Sequence, residues 1–467
     1  MTTAIWWIRR DIRIHDQQAL TGALGAADSV LPVFIKDPAL AASPYTGERR
    51  WRFLLAGLHA LDHELRQSGS RLLYFEGSPL AVLSRLIKAG FADHIFAEED
   101  VTPFARQRDS LIEASLPVTF TGGLSLMPLQ SVTTKNGGAY HVYTPFRNAL
   151  IAHPLLQGAL PLPTPARIPL PMDKALPESE ALPAVDANSA AHFPAGEQPA
   201  LARLQSFSEG TDATIFRYAE GRNGLHQPGS AHLSPYFRFG MLSIRTAYQQ
   251  AERAMNHAVE KDARKSVRTW RNQLIWREFF INILDRHPYA RTQSFRPEYR
   301  SLAWINNPDD FEAWKAGRTG YPVVDAAMRQ LHQEGWIPNR ARLIVASFLV
   351  KHLLIDWRWG EKWFMQQLLD GDPAQNNGGW QWSAGTGTDA APYFRIFNPI
   401  LQSKRYDPEG NYLRSYVPEL DALDADRIHQ PWKLSEGERN GYPQPIVEHG
   451  FARERALATF SKARQRA

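Results

Sequence analysis

The first 120 residues alternate short apolar runs with longer amphipathic stretches, and this alternation constrains the fold more than any other feature of the chain. Five runs have the length and composition of buried strands: residues 5–8, 30–35, 71–75, 94–97 and 118–120. Three stretches between them carry helix-spaced apolar positions: residues 48–67, 79–89 and 103–114. Strands separated by helices imply right-handed βαβ crossovers, so we expect an α/β domain with a parallel, Rossmann-like sheet.

The composition changes after these strands. Residues 154–199 are rich in Pro, Ala and Leu with little periodicity, which predicts an extended connector on the surface. Helical spacing then dominates, for example at residues 265–286, 322–335, 339–356 and 361–370. The predicted organisation is an α/β domain over residues 1–131, a Pro-rich connector over 132–205 and an all-α domain over 206–467.

Residues 370–399 concentrate carboxylates, amides, glycines and two tryptophans without a helical or strand period. We interpret residues 371–399 as a loop that wraps a ligand, because ordering an irregular segment is costly. Trp380 and Trp382 lie two residues apart between glycines, so core packing is the less favoured interpretation for this pair. The other tryptophans, among 14 in the chain, are consistent with a Trp-rich helical core.

Charge and cysteine content narrow the function classes. The net charge of +5 permits a nucleic-acid partner. Nine basic residues between positions 264 and 300 face only three acidic ones, so a phosphate-facing surface and a solvated helix face are equally favoured. The absence of Cys excludes disulfides, zinc ribbons and Cys-ligated clusters, and no metal site is expected. Without a visible signal peptide or membrane-length apolar run, we expect a cytoplasmic protein with no membrane partner.

Long motifs resemble one known family. The motifs are, in chain order, WWIRRDIRIHDQQAL, GSAHLSPYFRFGMLS, NQLIWREFF, GRTGYPVVDAAMRQL, GWIPNRARLIVASFLVKHLLIDWRWGE and NNGGWQWSAGTGTDAAPYFRIFNP. The chain resembles the DNA photolyase and cryptochrome family, and most of all the class I cyclobutane pyrimidine dimer photolyases. The resemblance implies a lyase, acting as a monomer on UV-damaged DNA, that splits dimers by electron transfer from excited, reduced FAD.

The resemblance also implies an FAD site in the helical domain. The matching cofactor contacts are Tyr218, Ser230, Ala231, His232, Leu233, Ser234, Trp270, Arg277, Arg342, Asp370, Gly371, Asp372 and Asn376. Hydroxyls and backbone N–H groups at 230–234 suit a pyrophosphate, with an ordinary helix cap as the alternative. Arg342 and Asp370 are expected to pair against the isoalloxazine. Asn376 is expected to face flavin N5 and help to hold the anionic reduced form.

The family gives the tryptophans two roles. Trp276 and Trp382 match the aromatic walls that hold a dimer flipped out of the duplex. Trp304, Trp357 and Trp380 match the chain that carries electrons to oxidised flavin from the surface inward. The residues expected to act on the dimer are Gln273, Trp276, Asn339, Asn376 and Trp382. The residues expected to contact DNA are Arg222, Trp276, Arg277, Asn339, Arg340 and Trp382.

Two positions depart from the class I pattern. Gln273 stands where those enzymes carry a glutamate that hydrogen-bonds the dimer bases, and Leu343 stands where they carry methionine. A neutral amide can still accept from a base N3–H and donate to a C4 carbonyl, so repair is expected to survive the change. Glutamine also occurs in the (6-4) photolyases, but these carry two histidines where this chain has Asn339 and Leu343. The alternative functions to dimer repair are those of a blue-light photoreceptor without repair, a (6-4) photolyase and a light-independent damaged-DNA binding protein.

The resemblance also implies a site for a second, light-harvesting chromophore in the N-terminal domain. The folate-binding members carry an Asn-Glu pair where this chain has Phe104 and Ala105. The segment EDVTPFARQRD is more similar to the deazaflavin- or FMN-binding branch, with Arg10 and Asp100 as candidate contacts. An empty crevice beside a solvated helix start is the alternative.

Overall fold

A computed structural model describes residues 1–157, 160–172, 175–185, 192–227, 229–389 and 395–465. Five parallel strands form one sheet: β1 Thr3–Ile8, β2 Ser29–Lys36, β3 Leu73–Glu76, β4 His94–Ala97 and β5 Val118–Phe120. Their order is β3-β2-β1-β4-β5. The parallel sheet predicted from the alternating pattern is therefore confirmed.

The α-helices account for most of the remaining chain. In chain order they are α1 Gln18–Ala26, α2 Pro38–Ala41, α3 Glu48–Gln67, α4 Pro79–Lys88, α5 Pro103–Glu113, α6 Tyr143–Ile151, α7 Pro154–Gln157, α8 Glu197–Ser208, α9 Tyr218–Gly221, α10 Ser234–Arg238, α11 Ile244–His257, α12 Lys261–Arg286, α13 Pro308–Lys315, α14 Pro322–Glu334, α15 Asn339–Ser347, α16 Trp357–Gln367, α17 Pro373–Ala384, α18 Pro399–Tyr406, α19 Asn411–Tyr416 and α20 His449–Gln465. A π-helical turn, Phe348–His352, follows α15.

The chain divides into two compact units that interleave along the sequence. The first unit consists of Met1–Phe216, Ala231–Pro288 and Leu369–Gly371, and the second consists of Arg217–Ser230, Tyr289–Leu368 and Asp372–Ala467. The first unit contains the sheet, and the second is helical. The domain boundaries at residues 131 and 205 stay a prediction.

The core of the first unit is built on both faces of the sheet. Ile5, Leu31 and Ile95 lie side by side in the strand register and are fully buried. Burial on both faces explains why these strands read as continuous apolar runs rather than alternating ones. The strand order reverses between β1 and β4, and the carboxyl ends of these two neighbours form the place where such sheets bind ligands.

Part of the predicted connector is held on the first unit. Val30 N–H donates to Pro169 O over 2.8 Å, and Ile168 is fully buried with its N–H donating to Ser68 O. Proline lacks an N–H donor but keeps its carbonyl acceptor, so a Pro-rich segment can still accept hydrogen bonds from the domain on which it lies. Helices α6 and α7 also lie within residues 132–205, and α8 begins there.

The second unit has its own hydrophobic core. Trp314, Phe348 and Trp357 are among its buried side chains. The single helix predicted over residues 339–356 is interrupted by the π-turn, and α16 begins after Asp356, whose side chain caps it by accepting from Arg358 N–H. No helix in the described ranges combines the length and apolarity needed to cross a membrane.

Candidate functional site

The segment predicted as a loop over residues 371–399 contains helix α17, so this prediction was wrong for its first part. Asp372 caps the helix by accepting from two backbone N–H groups, Pro373 takes its first position, and Gly385 ends it at φ 80°. An Asp-Pro start and a Gly stop are helix signals, so the sequence held the information. Glycines and amides leave the helix without an apolar stripe, which hid its period. Residues 390–394 of the predicted loop lie outside the described residues.

Asn376, on the first turn of α17, is held by Glu361 of α16. Its Nδ2 donates to the backbone oxygen of Glu361 over 2.9 Å and to Glu361 Oε1 over 3.1 Å. A carbonyl and a carboxylate both accept, so the amide nitrogen must face Glu361. The Glu361 side chain is 1% exposed and pairs with Arg291 at 3.1 Å. Asn376 is therefore left with its Oδ1, which accepts no hydrogen bond from any residue in the described ranges.

This free oxygen is the feature that tests whether the site fits FAD. Reduced flavin carries a donor at N5, and a fixed carbonyl oxygen is the complementary group. The residues present therefore fit the cofactor at this point. Sequence reasoning singled out Asn376 but missed Glu361, because the contact joins two helices and leaves no local pattern.

Trp380 lies in the core of the second unit, so the prediction against core packing was wrong for this residue. Its side chain is 2% exposed, and its ring centroid lies 5.0 Å from that of Phe364. Gly360 makes room for the ring, because a Cβ at that position would lie 2.2 Å from Trp380 Cη2. Trp382, by contrast, is only partly buried.

Of the three tryptophans in the predicted electron-transfer chain, two are buried and one is partly exposed. Trp357 and Trp380 are 1% and 2% exposed within the same hydrophobic cluster. Trp304 is partly exposed at the edge of that cluster, with its ring centroid 6.1 Å from that of Phe460 on α20. The partial exposure of Trp304 is consistent with its predicted place at the outer end of the chain, and the electron-transfer role stays a prediction.

Several predicted cofactor and DNA residues lie in the second unit. Tyr218 is buried, which raises its pKa, and the Arg222 guanidinium lies 5.5 Å from the centroid of its ring. Arg342 Nε donates to Ile337 O over 3.0 Å. Gly229 is packed so closely that a Cβ would lie 2.1 Å from Gly221 O, which fixes the path of the segment leading to Ser230.

The remaining predicted cofactor residues lie in the first unit. His232 adopts φ 50°, a strained value of the kind that clusters at ligand sites, and burial lowers the pKa of its imidazole to about 4. Leu233 precedes α10, and Arg238 at the end of that helix donates its Nε to Gly371 O over 2.6 Å. Trp270 is buried against Phe207. The other predicted cofactor residues of the first unit are Ala231, Ser234, Arg277 and Asp370. The ion pair of Arg342 with Asp370 stays a prediction.

Trp276 projects from α12 as a partly buried ring. Tyr143, the first residue of α6, stacks on it with ring centroids 3.8 Å apart and planes 5° from parallel. Phe279 meets the same indole edge-on at 5.6 Å. Gln273 lies one turn earlier on α12, and its Nε2 donates over 3.4 Å to Thr269 O. Tyr143 was not predicted as a site residue, because its helix lies within the predicted connector.

The basic stretch serves mainly to hold the fold. Seven of its nine members hydrogen-bond or ion-pair with acceptors of the protein: Arg264, Arg271, Arg277, Arg286, Arg291, Arg296 and Arg300. Lys265 and Arg268, with Arg264, are exposed on the first two turns of α12. Most of the stretch is therefore engaged within the protein, whereas Arg300 at its C-terminal end is exposed like the cations at its N-terminal end. A phosphate-facing surface stays a prediction.

Two further predicted DNA contacts begin α15. Asn339 is exposed, whereas Arg340 is partly buried. Arg340 Nη2 donates to Asn223 Oδ1 over 2.9 Å, and its guanidinium lies 4.4 Å from the ring centroid of Tyr406. The structure thus presents Asn339 to solvent and gives Arg340 a fixed orientation.

The candidate antenna residues contact each other at the reversal point of the sheet. Arg10 follows β1, Asp100 follows β4, and Arg10 Nη1 lies 3.2 Å from Asp100 Oδ2. Burial alone would raise the pKa of Asp100, but Arg10 and Arg9 outweigh it and hold that pKa below its usual value. Sequence reasoning missed Glu98, which is buried beside them and pairs with Arg13 at 2.7 Å. Burial raises the pKa of Glu98 to about 7.

Comparison with known proteins identifies the family. Residues 4–166 match the family described as DNA photolyase, and residues 270–462 match the FAD binding domain of DNA photolyase. The deoxyribodipyrimidine photo-lyase of Escherichia coli is 37% identical over 482 residues, which cover 100% of both chains. The chain belongs to the DNA photolyase and cryptochrome family. As a family member, it carries the FAD-binding domain that the motifs predicted.

Solved photolyase structures share this fold over the full length. A bacterial class III photolyase from Agrobacterium tumefaciens has a TM-score of 0.90 and 36% identity, covering 100% of this chain and 98% of the other. An archaeal photolyase from Sulfolobus tokodaii with two FAD molecules has a TM-score of 0.82 and 32% identity, covering 99% and 100%. Since one of these belongs to class III, membership of class I stays a prediction.

Proposed function

We propose that this photolyase-family protein repairs cyclobutane pyrimidine dimers in UV-damaged DNA, using light and reduced FAD. Bound FAD supplies the excited-state electron that splits the dimer. The chain's own residues bind and orient the cofactor and the flipped bases. The observation that carries the proposal is the partly exposed Trp276, held parallel to Tyr143, because a light sensor that does not bind lesions needs no aromatic wall.

Residues at the family's cofactor positions are proposed to hold FAD. They are Tyr218, Ser230 to Ser234, Trp270, Arg277, Arg342, Asp370 to Asp372 and Asn376. Support comes from the strained backbone at His232 and from the Asn376 amide, whose orientation Glu361 dictates. The proposed role of Asn376 is to accept a hydrogen bond from N5–H through Oδ1 and so favour the reduced cofactor.

The lesion is proposed to stack on Trp276 and Trp382, with Gln273 and Asn339 contacting its polar edges. Arg222, Arg277 and Arg340 are proposed to contact DNA near the lesion. Arg222 and Arg340 are supported by their fixed stacking on aromatic rings, and a guanidinium held in one orientation loses little entropy on meeting a phosphate. We propose that the protein acts as a monomer.

A light-harvesting chromophore of the deazaflavin or FMN type is proposed at Arg10 and Asp100. The support is their position beyond β1 and β4, where parallel sheets bind ligands. Chromatography of the chromophores released from purified protein tests this point. Recovery of FAD alone, or of a folate, would contradict it.

The deciding experiment is light-dependent repair of an oligonucleotide that carries one cyclobutane thymine dimer, with the reduced protein and a dark control. We expect intact thymines to appear only in the light. A Trp276→Leu variant that keeps its FAD should lose binding to this substrate. Fully reduced wild-type protein that leaves the dimer intact would instead indicate a blue-light photoreceptor, and repair of only a (6-4) lesion would indicate the other repair class.

A further inference from the structure

Tyr143 and Trp276 make the closest parallel ring contact in the first unit's aromatic cluster. Their centroids lie 3.8 Å apart at an interplanar angle of 5°. Tyr143 is 6% exposed, so its ring is almost wholly enclosed by protein. Phe279 lies edge-on to both rings, at 6.0 Å from Tyr143 and 5.6 Å from Trp276.

The hydroxyl of Tyr143 fixes the stack to the helix that carries Trp276. It donates to Asn272 O over 2.9 Å, and Asn272 lies one turn before Trp276 on α12. The phenol is therefore attached to α12 at its hydroxyl end and lies flat on the indole with its ring face. Rotation of the Trp276 side chain toward α6 is blocked, because an enclosed ring already occupies that space.

A base removed from a duplex gains most from an aromatic surface that is already in place. Ordering a free side chain during binding costs part of the stacking energy, and a side chain ordered beforehand avoids that cost. The stack on Tyr143 covers one face of the indole, so binding a base does not have to desolvate that face.

We propose that Tyr143 is a positioning residue for dimer recognition: it holds the Trp276 ring in its base-stacking orientation before DNA binds. This inference rests on the proposed function, in which Trp276 is one wall of the dimer site. Tyr143 itself need not touch the lesion, and its segment belongs to the part of the chain whose composition predicts only a connector.

If Tyr143 had a purely structural role, loosening the same aromatic cluster at another residue should weaken the preference for the dimer equally. Phe146, on the same helix, packs against Phe279 at 5.5 Å and is 2% exposed. Among the described ring contacts it has none with Trp276. A Phe146→Leu variant therefore loosens the same aromatic cluster without removing the stack, and it is the matched control.

The test compares binding in the dark of FAD-loaded Tyr143→Leu, Tyr143→Phe, Phe146→Leu and Trp276→Leu to two oligonucleotides, one with a single cyclobutane thymine dimer and one undamaged. We expect Tyr143→Leu to weaken dimer binding by about 3- to 10-fold, the value of one aromatic stack, and to leave undamaged binding unchanged. Tyr143→Phe keeps the ring and should restore dimer binding. Phe146→Leu should lower the melting temperature but retain the preference for the dimer.

Equal dimer affinity in Tyr143→Leu and wild type would overturn the inference, as would an equal loss on both oligonucleotides or an equal loss of preference in Phe146→Leu. The Trp276→Leu variant separates this failure from that of the proposed function. If Trp276→Leu loses dimer binding while Tyr143→Leu does not, only the positioning role fails. If Trp276→Leu also binds the dimer normally, the proposed dimer wall itself is wrong.

Discussion

The Asn376 amide nitrogen lies 3.1 Å from Glu361 Oε1, and this contact decides which end of the amide remains available. Glu361 is buried and paired with Arg291, so it stays an acceptor. A residue on the neighbouring helix can thus fix which way the asparagine carbonyl oxygen points, with no change at the asparagine itself. The same residue pair therefore sets the hydrogen-bonding character of the position expected to face N5.

Replacing that carboxylate should shift the redox potential of the bound cofactor. In Glu361→Gln the backbone oxygen of residue 361 still accepts from Asn376, but the second acceptor becomes an amide that can also donate, so the Asn376 amide is held less firmly. We expect the two-electron midpoint potential of FAD to fall by about 10 to 30 mV, which corresponds to one hydrogen bond. Asp407→Asn is the control, since Asp407 is a buried carboxylate that accepts from Tyr412 and Leu413 instead. An unchanged or raised potential in Glu361→Gln would refute this role.

Interrupting the tryptophan chain should separate photoreduction from repair. Trp357→Phe replaces an oxidisable indole with a ring that resists oxidation, so light should no longer reduce oxidised FAD. Chemically reduced Trp357→Phe should still repair dimers. Trp314→Phe is the control, because Trp314 is equally buried and its ring lies 6.1 Å from Trp380 but outside the proposed chain. Loss of photoreduction in both variants would show that core packing, not the proposed chain, explains the effect.

Two Gly→Ala substitutions should change stability in opposite directions. Gly360→Ala would place a Cβ 2.2 Å from Trp380, and such overpacking costs about 1 to 3 kcal/mol. Gly25 lies in α1, and a Cβ added there would meet no atom within 4 Å, so Gly25→Ala should stabilise by up to about 1 kcal/mol. Thermal unfolding of both variants checks the signs. A Gly360→Ala protein as stable as wild type would mean that Trp380 repacks freely.

Glu278 should make stability depend on pH. Burial raises the pKa of Glu278 to about 7 from 4.5, although Arg277 and the Leu126 N–H oppose the shift. The folded state thus binds this proton more tightly than the unfolded chain, so the stabilisation is present below pH 4.5 and is lost as pH rises through about 7. Glu278→Gln should gain stability over wild type across that window, by at most about 3 kcal/mol. Unfolding midpoints at both ends of the window test this, and a constant difference would contradict it.

The glutamine at the dimer site gives a prediction about efficiency. If Gln273 acts as a weaker version of the usual carboxylate, Gln273→Glu should raise repair per absorbed photon without changing FAD content. In the structure Gln273 Nε2 donates to Thr269 O over 3.4 Å, a long distance for a hydrogen bond. No gain, or a loss, would mean that the pocket is built around the amide.

The sequence by itself determined the sheet. All five strands were predicted from local apolar runs. The signal is clearest in β1 and β2, which are buried on both faces almost throughout. The long motifs also identified the family and its FAD-binding domain. The helix α17 was missed although its Asp372-Pro373 start and Gly385 stop are local signals, since a helix of glycines and amides has no apolar stripe.

Only the tertiary structure decided the partners of the site residues. Glu361 and Asn376 lie on consecutive helices, whereas Tyr143 and Trp276 lie on helices far apart in the sequence, and neither pair leaves a periodic trace. The basic stretch shows the same limit, because the sequence does not reveal that seven of its arginines have acceptors within the protein. Local patterns record which face of an element is buried, whereas hydrogen bonds and stacking depend on which elements meet, and packing alone decides that.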